Sequence, residues 1–290
     1  MKLVLTDLAR FLVLLHKTIV HLPPMKILRY QADRWPIAII LFAFGLDLVV
    51  FFLAPTWRYA AAWTVLGIFH KACICSFNHH HQHLATFHSN VLNRLLEIPY
   101  GFLTGVTSHT WFLHHVIGHH QHYLDQSLDE SRWKRDDGTP MRELEYATVV
   151  AATGYHRAFM AGKRHPKHRM NFVLMLLLQL TILGSFFWYN WQNALFVFLL
   201  PMAISLFLTA WHTYYHHCGL NAENDHEASW NITHKWYNIL TGNLGYHTAH
   251  HLRGGLHWSK LPRFHDTIVE KIPDRLYRKP CIPFKWMPSI

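Results

Sequence analysis

The sequence predicts an all-α integral membrane protein, with four transmembrane helices in two hairpins and a helical cap on the cytoplasmic side. Three observations carry this. The 290 residues are 51% apolar and only 15% charged, against about 25% charged in an ordinary soluble domain. Four blocks of near-spanning length are almost free of charge. Those blocks pair through very short joints, so each pair returns to the side of the bilayer it came from.

The elements follow in chain order. Residues 1–36 read as an interfacial N-terminal segment, since Leu5, Leu8, Leu12, Leu15 and Ile19 repeat at helical spacing. Asp7 and Arg10 interrupt the apolar run and no small-residue cleavage site precedes Pro23-Pro24, which argues against a signal peptide. The first hairpin, residues 37–76, joins Ile37 to Pro55, where Asp47 is the sole charge, to Tyr59 to Phe77 through Thr56-Trp57-Arg58. The second hairpin, residues 171–211, joins the uncharged blocks Asn171 to Asn190 and Ala194 to Trp211 through Trp191-Gln192-Asn193. A helix needs about 20 apolar residues to cross the hydrocarbon layer, so each block qualifies. Between the hairpins lies a polar region, residues 77–170, and after them another, residues 212–290. The stretch Asn93 to Trp111 has a polar start and carries Pro99, Gly101 and Gly105. It reads as a helix dipping into the membrane or packing over its cytoplasmic face. The whole chain forms one domain, with no internal repeat.

Charge sets the orientation. Lys and Arg exceed Asp and Glu by 27 − 17 = 10, and the excess sits in the N-terminal segment and the region between the hairpins. By the positive-inside rule both termini and that region face the cytoplasm. Anionic headgroups account for the basic residues, and a nucleic-acid partner is not implied. Disorder is excluded by the apolar content. Four Cys, at 73, 75, 218 and 281, cannot make a disulfide scaffold.

The chain holds 27 His, and 21 of them fall in two windows, His79–His122 and His212–His265. Each window begins within a few residues of a hairpin's cytoplasmic end, where a metal site at the membrane surface would lie. Residues i and i+4 share a helical face, so His79 and His83 can address one ion. His115, His119 and His120 contain a second i, i+4 pair, and His247, His250 and His251 form an i, i+3, i+4 trio. Imidazole suits Fe, Zn, Cu or Ni. Zinc is redox-inert and closes structural sites with four ligands, so this many His beside a bilayer point to two redox metals.

These segments resemble the integral-membrane histidine-box di-iron family, which includes fatty acyl desaturases and alkane hydroxylases. The family pattern is HxxxH, then HxxxHH or HxxHH, then HxxHH; here the boxes are His79–His83, His115–His120 and His247–His251. The run YYHHCGL resembles an additional family element and aligns His217 with its ligand. The resemblance, over residues 35–265, implies nine His ligands for two iron ions: His79, His83, His115, His119, His120, His217, His247, His250 and His251. His81 within HHHQH, and His212 and His216 beside His217, are alternative ligands or supporting residues. Relatives carry an Asn one turn before the additional His, where this chain has Thr213; Asn243 is another candidate for that role. Glu97 stands out as an acid in apolar surroundings.

The resemblance implies an O2-dependent enzyme that oxidises unactivated C–H bonds of a fatty acyl chain, and a desaturase in particular. A hydroxylase or a terminal-alkene-forming oxidative decarboxylase would use the same site. The run HWSKLPRFH after the third box is similar to bacterial desaturases and implies a bacterial inner membrane. Without a fused redox module, a separate electron donor such as ferredoxin, rubredoxin or cytochrome b5 is required. A His-rich metal transporter is the reading from another class, but transporters put their ligands near the midplane of the spans.

Overall fold

A computed structural model describes residues 27–288. The interfacial helix expected around Leu5–Ile19 lies outside the described residues. Within them the chain is helical, with strand pairing limited to isolated bridges such as Leu28 with Phe87. The long helices are α1 (Arg34–Leu53), α2 (Trp57–His83), α3 (Asn90–Thr104), α4 (Glu143–Ala161), α5 (Pro166–Ala194) and α6 (Leu200–His217). Short helices α7 (Lys235–Leu240), α8 (His247–Leu252) and α9 (Leu261–Asp266) follow.

Three stretches are long and apolar enough to cross a membrane: Gln31–Leu53, Trp57–His83 and Pro166–His217. The third has 52 residues, about 78 Å if straight, far more than a bilayer's hydrocarbon. It is not straight. Asn190 leaves the helical region (φ −154°, ψ 90°). The rings of Phe186 and Phe198 stack with centroids 4.7 Å apart, although 198 − 186 = 12 positions would separate them by about 18 Å in a continuous helix. The chain therefore turns sharply between α5 and α6.

Polar side chains fasten α1 and α2 to the segment that joins α5 to α6. Asn193 donates to the carbonyls of Phe51 (3.0 Å) and Ala54 (3.2 Å), satisfying the frayed end of α1. A π-helical turn, Leu195–Leu199, opens α6. The Phe196 carbonyl accepts from Thr64, and that of Val197 accepts from Lys71 Nζ at 3.3 Å. Lys71 also pairs with Asp47 at 2.8 Å, and Trp63 Nε1 donates to the same carboxylate at 2.7 Å. Both charges are fully buried, which is tolerable in a bilayer only because each has its partner. Around them Phe51, Phe102 and Phe198 form an aromatic core. In lipid such a core holds by close packing, since apolar tails surround it anyway.

The helix α2 runs unbroken through the first His segment to His83, so the hairpin arm extends beyond residue 76 and places those His on its own last turns. The expectation for Asn93 to Trp111 resolves into α3 and a loop. Ser89 caps α3 by accepting from Leu92 N. Gly105 ends it in the left-handed region (φ 69°), with the Met202 carbonyl so close that a Cβ would lie 2.1 Å from it. The helix α4 packs on α6, with Tyr146 and Tyr214 rings 5.1 Å apart.

Candidate metal centre

The nine His sort into two groups. His79, His83, His115, His120 and His250 bring one ring nitrogen each within 4.8 Å of one another, and His119, His217 and His251 do the same. His247 joins the second set, its Nε2 lying 3.0 Å from that of His217 and 3.2 Å from that of His251.

Local backbone geometry explains the sorting. On α2, His79 and His83 are one α-turn apart and their Nε2 atoms approach to 3.0 Å. The second segment behaves differently from the expected i, i+4 pair. Phe112–Ile117 is π-helical, with Gly118 N bonded to Leu113 O and His120 N to His115 O. The wider turn stacks i on i+5. His115 therefore meets His120, with Nε2 atoms 3.0 Å apart, while His119 turns to His217, with Nε2 atoms at 3.2 Å. On α8, His247 and His251 face the second group together, and His250 faces the first.

The supporting shell is most complete in the second group. His119 Nδ1 lies 2.8 Å from buried Asp129, His217 Nδ1 is 3.1 Å from the Ala228 carbonyl, and His247 Nδ1 is 3.3 Å from that of Leu244. With Nδ1 so occupied, each Nε2 lone pair is turned inward, as ligating His require. In the first group, His250 has no hydrogen-bond partner on either ring nitrogen. Such an orphaned pair is costly unless something binds there. Burial, and after it the neighbouring imidazoles, holds His115, His120, His247, His250 and His251 well below the ordinary His pKa. The rings are neutral at neutral pH, with lone pairs available. Converging neutral imidazole nitrogens and orphaned polar atoms fit two metal ions.

The remaining candidates sit around this centre. His216 points away: its Nδ1 lies 3.0 Å from the Trp230 carbonyl and its Nε2 2.9 Å from Tyr237 Oη, while its ring stacks on His247 at 4.0 Å. His81 turns to the other side of α2, toward Thr86 (2.8 Å) and Glu97 (3.2 Å). The Glu97 carboxylate also accepts from Arg94 and Ser108. Burial raises its pKa, but the bonds from His81 and Ser108 and the Arg94 charge outweigh that and hold it below the usual value. Asn243, with φ 62°, donates to the Trp258 carbonyl at 3.1 Å and thus braces the segment after α8. Thr213 bonds the Thr209 carbonyl at 3.2 Å. Two neighbours escaped the sequence reading. Tyr123 lays its ring 4.4 Å from that of His251 and donates to Asp225 at 2.5 Å. Trp111 stacks on His79 at 5.4 Å.

A cavity of about 540 Å³ opens onto both groups. Ile68, Phe69 and Ala72 of α2, Leu208 of α6, and Phe284 and Met287 near the C-terminus supply its apolar walls; His79, His115, His212, His216 and His247 line it as well. Ser76, Thr209 and Thr213 also line it.

The family model for fatty acid desaturases matches residues 55–281. The chain belongs to the fatty acid desaturase family. No curated protein and no solved structure matches it. Membership of the desaturase family, with the candidate spans, makes it an integral membrane oxidoreductase acting on fatty acyl chains in a lipid environment. The family and the His groups together point to bound metal.

Proposed function

We propose that this desaturase-family protein is an O2-dependent fatty acyl desaturase, with His79, His83, His115, His120 and His250 holding one iron and His119, His217, His247 and His251 the other. The observation that carries the reading is the apolar cavity lined by His79, His115 and His247, one or more from each group. Two irons held there would supply O2 activation and the oxidising power to take hydrogen from an unactivated methylene. The chain's own part is positioning. Ile68, Phe69 and Leu208 confine the acyl chain and keep water out, so that one pair of neighbouring methylenes lies beside the His groups. Asp129 holds the His119 ring in register through Nδ1. Both hairpins span the bilayer, giving four transmembrane helices with both termini and the His groups at the cytoplasmic surface. Electrons come from a separate carrier.

The test is expression in cells grown with iron, followed by mass spectrometry of total lipids and culture headspace. New unsaturated acyl chains that vanish in His115→Ala support the proposal. Hydroxylated chains or a volatile alkene instead would assign a different outcome to the same site.

A further inference from the structure

The first His group comes close to the surface under one turn of backbone. A Cβ added at Gly254 would lie 3.2 Å from His83 Nδ1 and 3.3 Å from His120 Nδ1. The same two rings direct Nε2 inward, each to within 3.0 Å of the Nε2 of another member of the group. Each imidazole thus reaches from the covering peptide to the place where the ligand nitrogens converge. The next residue, Gly255, is exposed, and a Cβ there would meet nothing within 4 Å. At this point the backbone of a glycine pair lies directly against the two rings.

Charge surrounds this turn. Arg253, Lys260 and Arg263 are exposed, and no acid occurs between Arg253 and His265. The Arg253 guanidinium lies 4.4 Å over the Phe264 ring and Lys260 Nζ 4.9 Å over that of Tyr30. These contacts spread the stems over the surface while the charge stays in water. Asp125 and Glu223, the acids that follow His120 and His217 most closely in sequence, line a separate polar cavity beside His217.

We infer that the Arg253-Gly254-Gly255 turn, flanked by Lys260 and Arg263, is the docking face for an acidic one-electron carrier protein, and that electrons enter through the His83 and His120 rings. The inference rests on the redox reading of the His groups proposed above. Electron transfer weakens steeply with distance, so backbone lying this close to two ligand rings suits an entry point. A glycine pair lets a partner's surface reach the backbone itself. Basic residues around it steer an acidic protein and orient a small, short-lived contact. Each encounter would oxidise the carrier by one electron and reduce a metal ion held by the first group by one, with no bond made or broken.

The experiment uses the full-length protein in nanodiscs and a plant-type [2Fe–2S] ferredoxin. Binding is measured at increasing salt, and metal-site reduction is followed under argon with either ferredoxin or dithionite. Gly255→Trp, whose side chain would project into open space, and R253E/R263E are compared with wild type. Both should bind ferredoxin at least 10-fold more weakly and accept its electrons correspondingly slowly, with metal content and dithionite reduction unchanged. Salt-insensitive or absent ferredoxin binding by wild type, wild-type affinity in both variants, or equal slowing with dithionite would overturn the docking face. A wild-type protein that dithionite cannot reduce, but that binds ferredoxin only when the turn is intact, would refute the redox reading and leave the docking face standing.

Discussion

His115 and His120 are five positions apart in the chain, yet their Nε2 atoms lie 3.0 Å from each other, because the π-helical turn at Phe112–Ile117 superposes i on i+5. His119, between them in the α-helical sense, faces His217 instead. One short segment therefore serves both groups. His119→Ala and His120→Ala should each lower bound metal by about one ion per chain, from different groups, and the double variant should hold close to none. Metal analysis of the purified proteins checks this. A double variant retaining one ion would place both residues in the same group.

The pair His216 and His217 is resolved by what each touches. His217 Nε2 faces three other His of its group, whereas His216 is bonded at both nitrogens to Trp230 and Tyr237. His217→Ala should lose one ion and all turnover. His216→Ala should keep both ions and lose roughly 10- to 100-fold in activity, by slackening the ring that stacks on His247. Iron content and turnover of the two variants decide it, and an iron-poor His216→Ala beside an intact His217→Ala would reverse the assignment.

Glu97 ties three parts of the chain: His81 on α2, Arg94 on its own helix, and Ser108 in the loop leading to the second His segment. Glu97→Ala leaves buried His81 and Ser108 without their acceptor and should cost roughly 3 kcal/mol of stability. The pH dependence follows from the depressed pKa. Its stabilisation is fully present above the unfolded carboxyl value, about pH 4.3, and is lost as pH falls through the lower folded value. The melting temperatures of wild type and Glu97→Gln should therefore converge below about pH 4. A gap that persists undiminished at pH 3 would refute the ionic role.

In the spans, Asp47 and Lys71 form a pair with no access to water. Lys71→Met strands the carboxylate beside Trp63 and should destabilise the protein by about 3–5 kcal/mol. The Asp47→Leu/Lys71→Met double variant should recover most of that loss, because removing both charges removes both desolvation costs. Thermal unfolding in detergent measures the difference. A double variant no better than the single would mean that the Lys71 bond to the Val197 carbonyl, rather than the pair, holds the hairpins together.

Much of this architecture is legible in the residues. The apolar blocks, their short joints and the i, i+4 spacing of His79 with His83 contain the helices and the first pair directly. The chain reversal near Asn190 is also visible, since the uncharged blocks on either side of Trp191-Gln192-Asn193 are each long enough to span by themselves. The π-turn at Phe112–Ile117 is not, because a wider turn is chosen by tertiary contacts and has no periodicity of its own. For the same reason the sequence groups His119 with His115, where the fold separates them. The bond from Asp129 to His119 spans a loop of irregular backbone, and no local pattern distinguishes that acid from Asp125, which stays in solvent.

The cavity makes a prediction about chain length. Along α2 the lining residues run from His79 back to Ile68, a rise of about 16 Å at 1.5 Å per residue. Ala72 lies 79 − 72 = 7 positions from His79, hence about 10 Å from it along the helix. A phenylalanine there would take up part of the cavity that Ala72 lines. Ala72→Phe should therefore shift products toward shorter acyl chains, or abolish turnover of long ones, with metal content unchanged. Product profiles from cells fed single fatty acids of graded length provide the measurement. An unchanged profile in a well-folded, metal-replete Ala72→Phe protein would mean that the acyl chain reaches the His groups by another path.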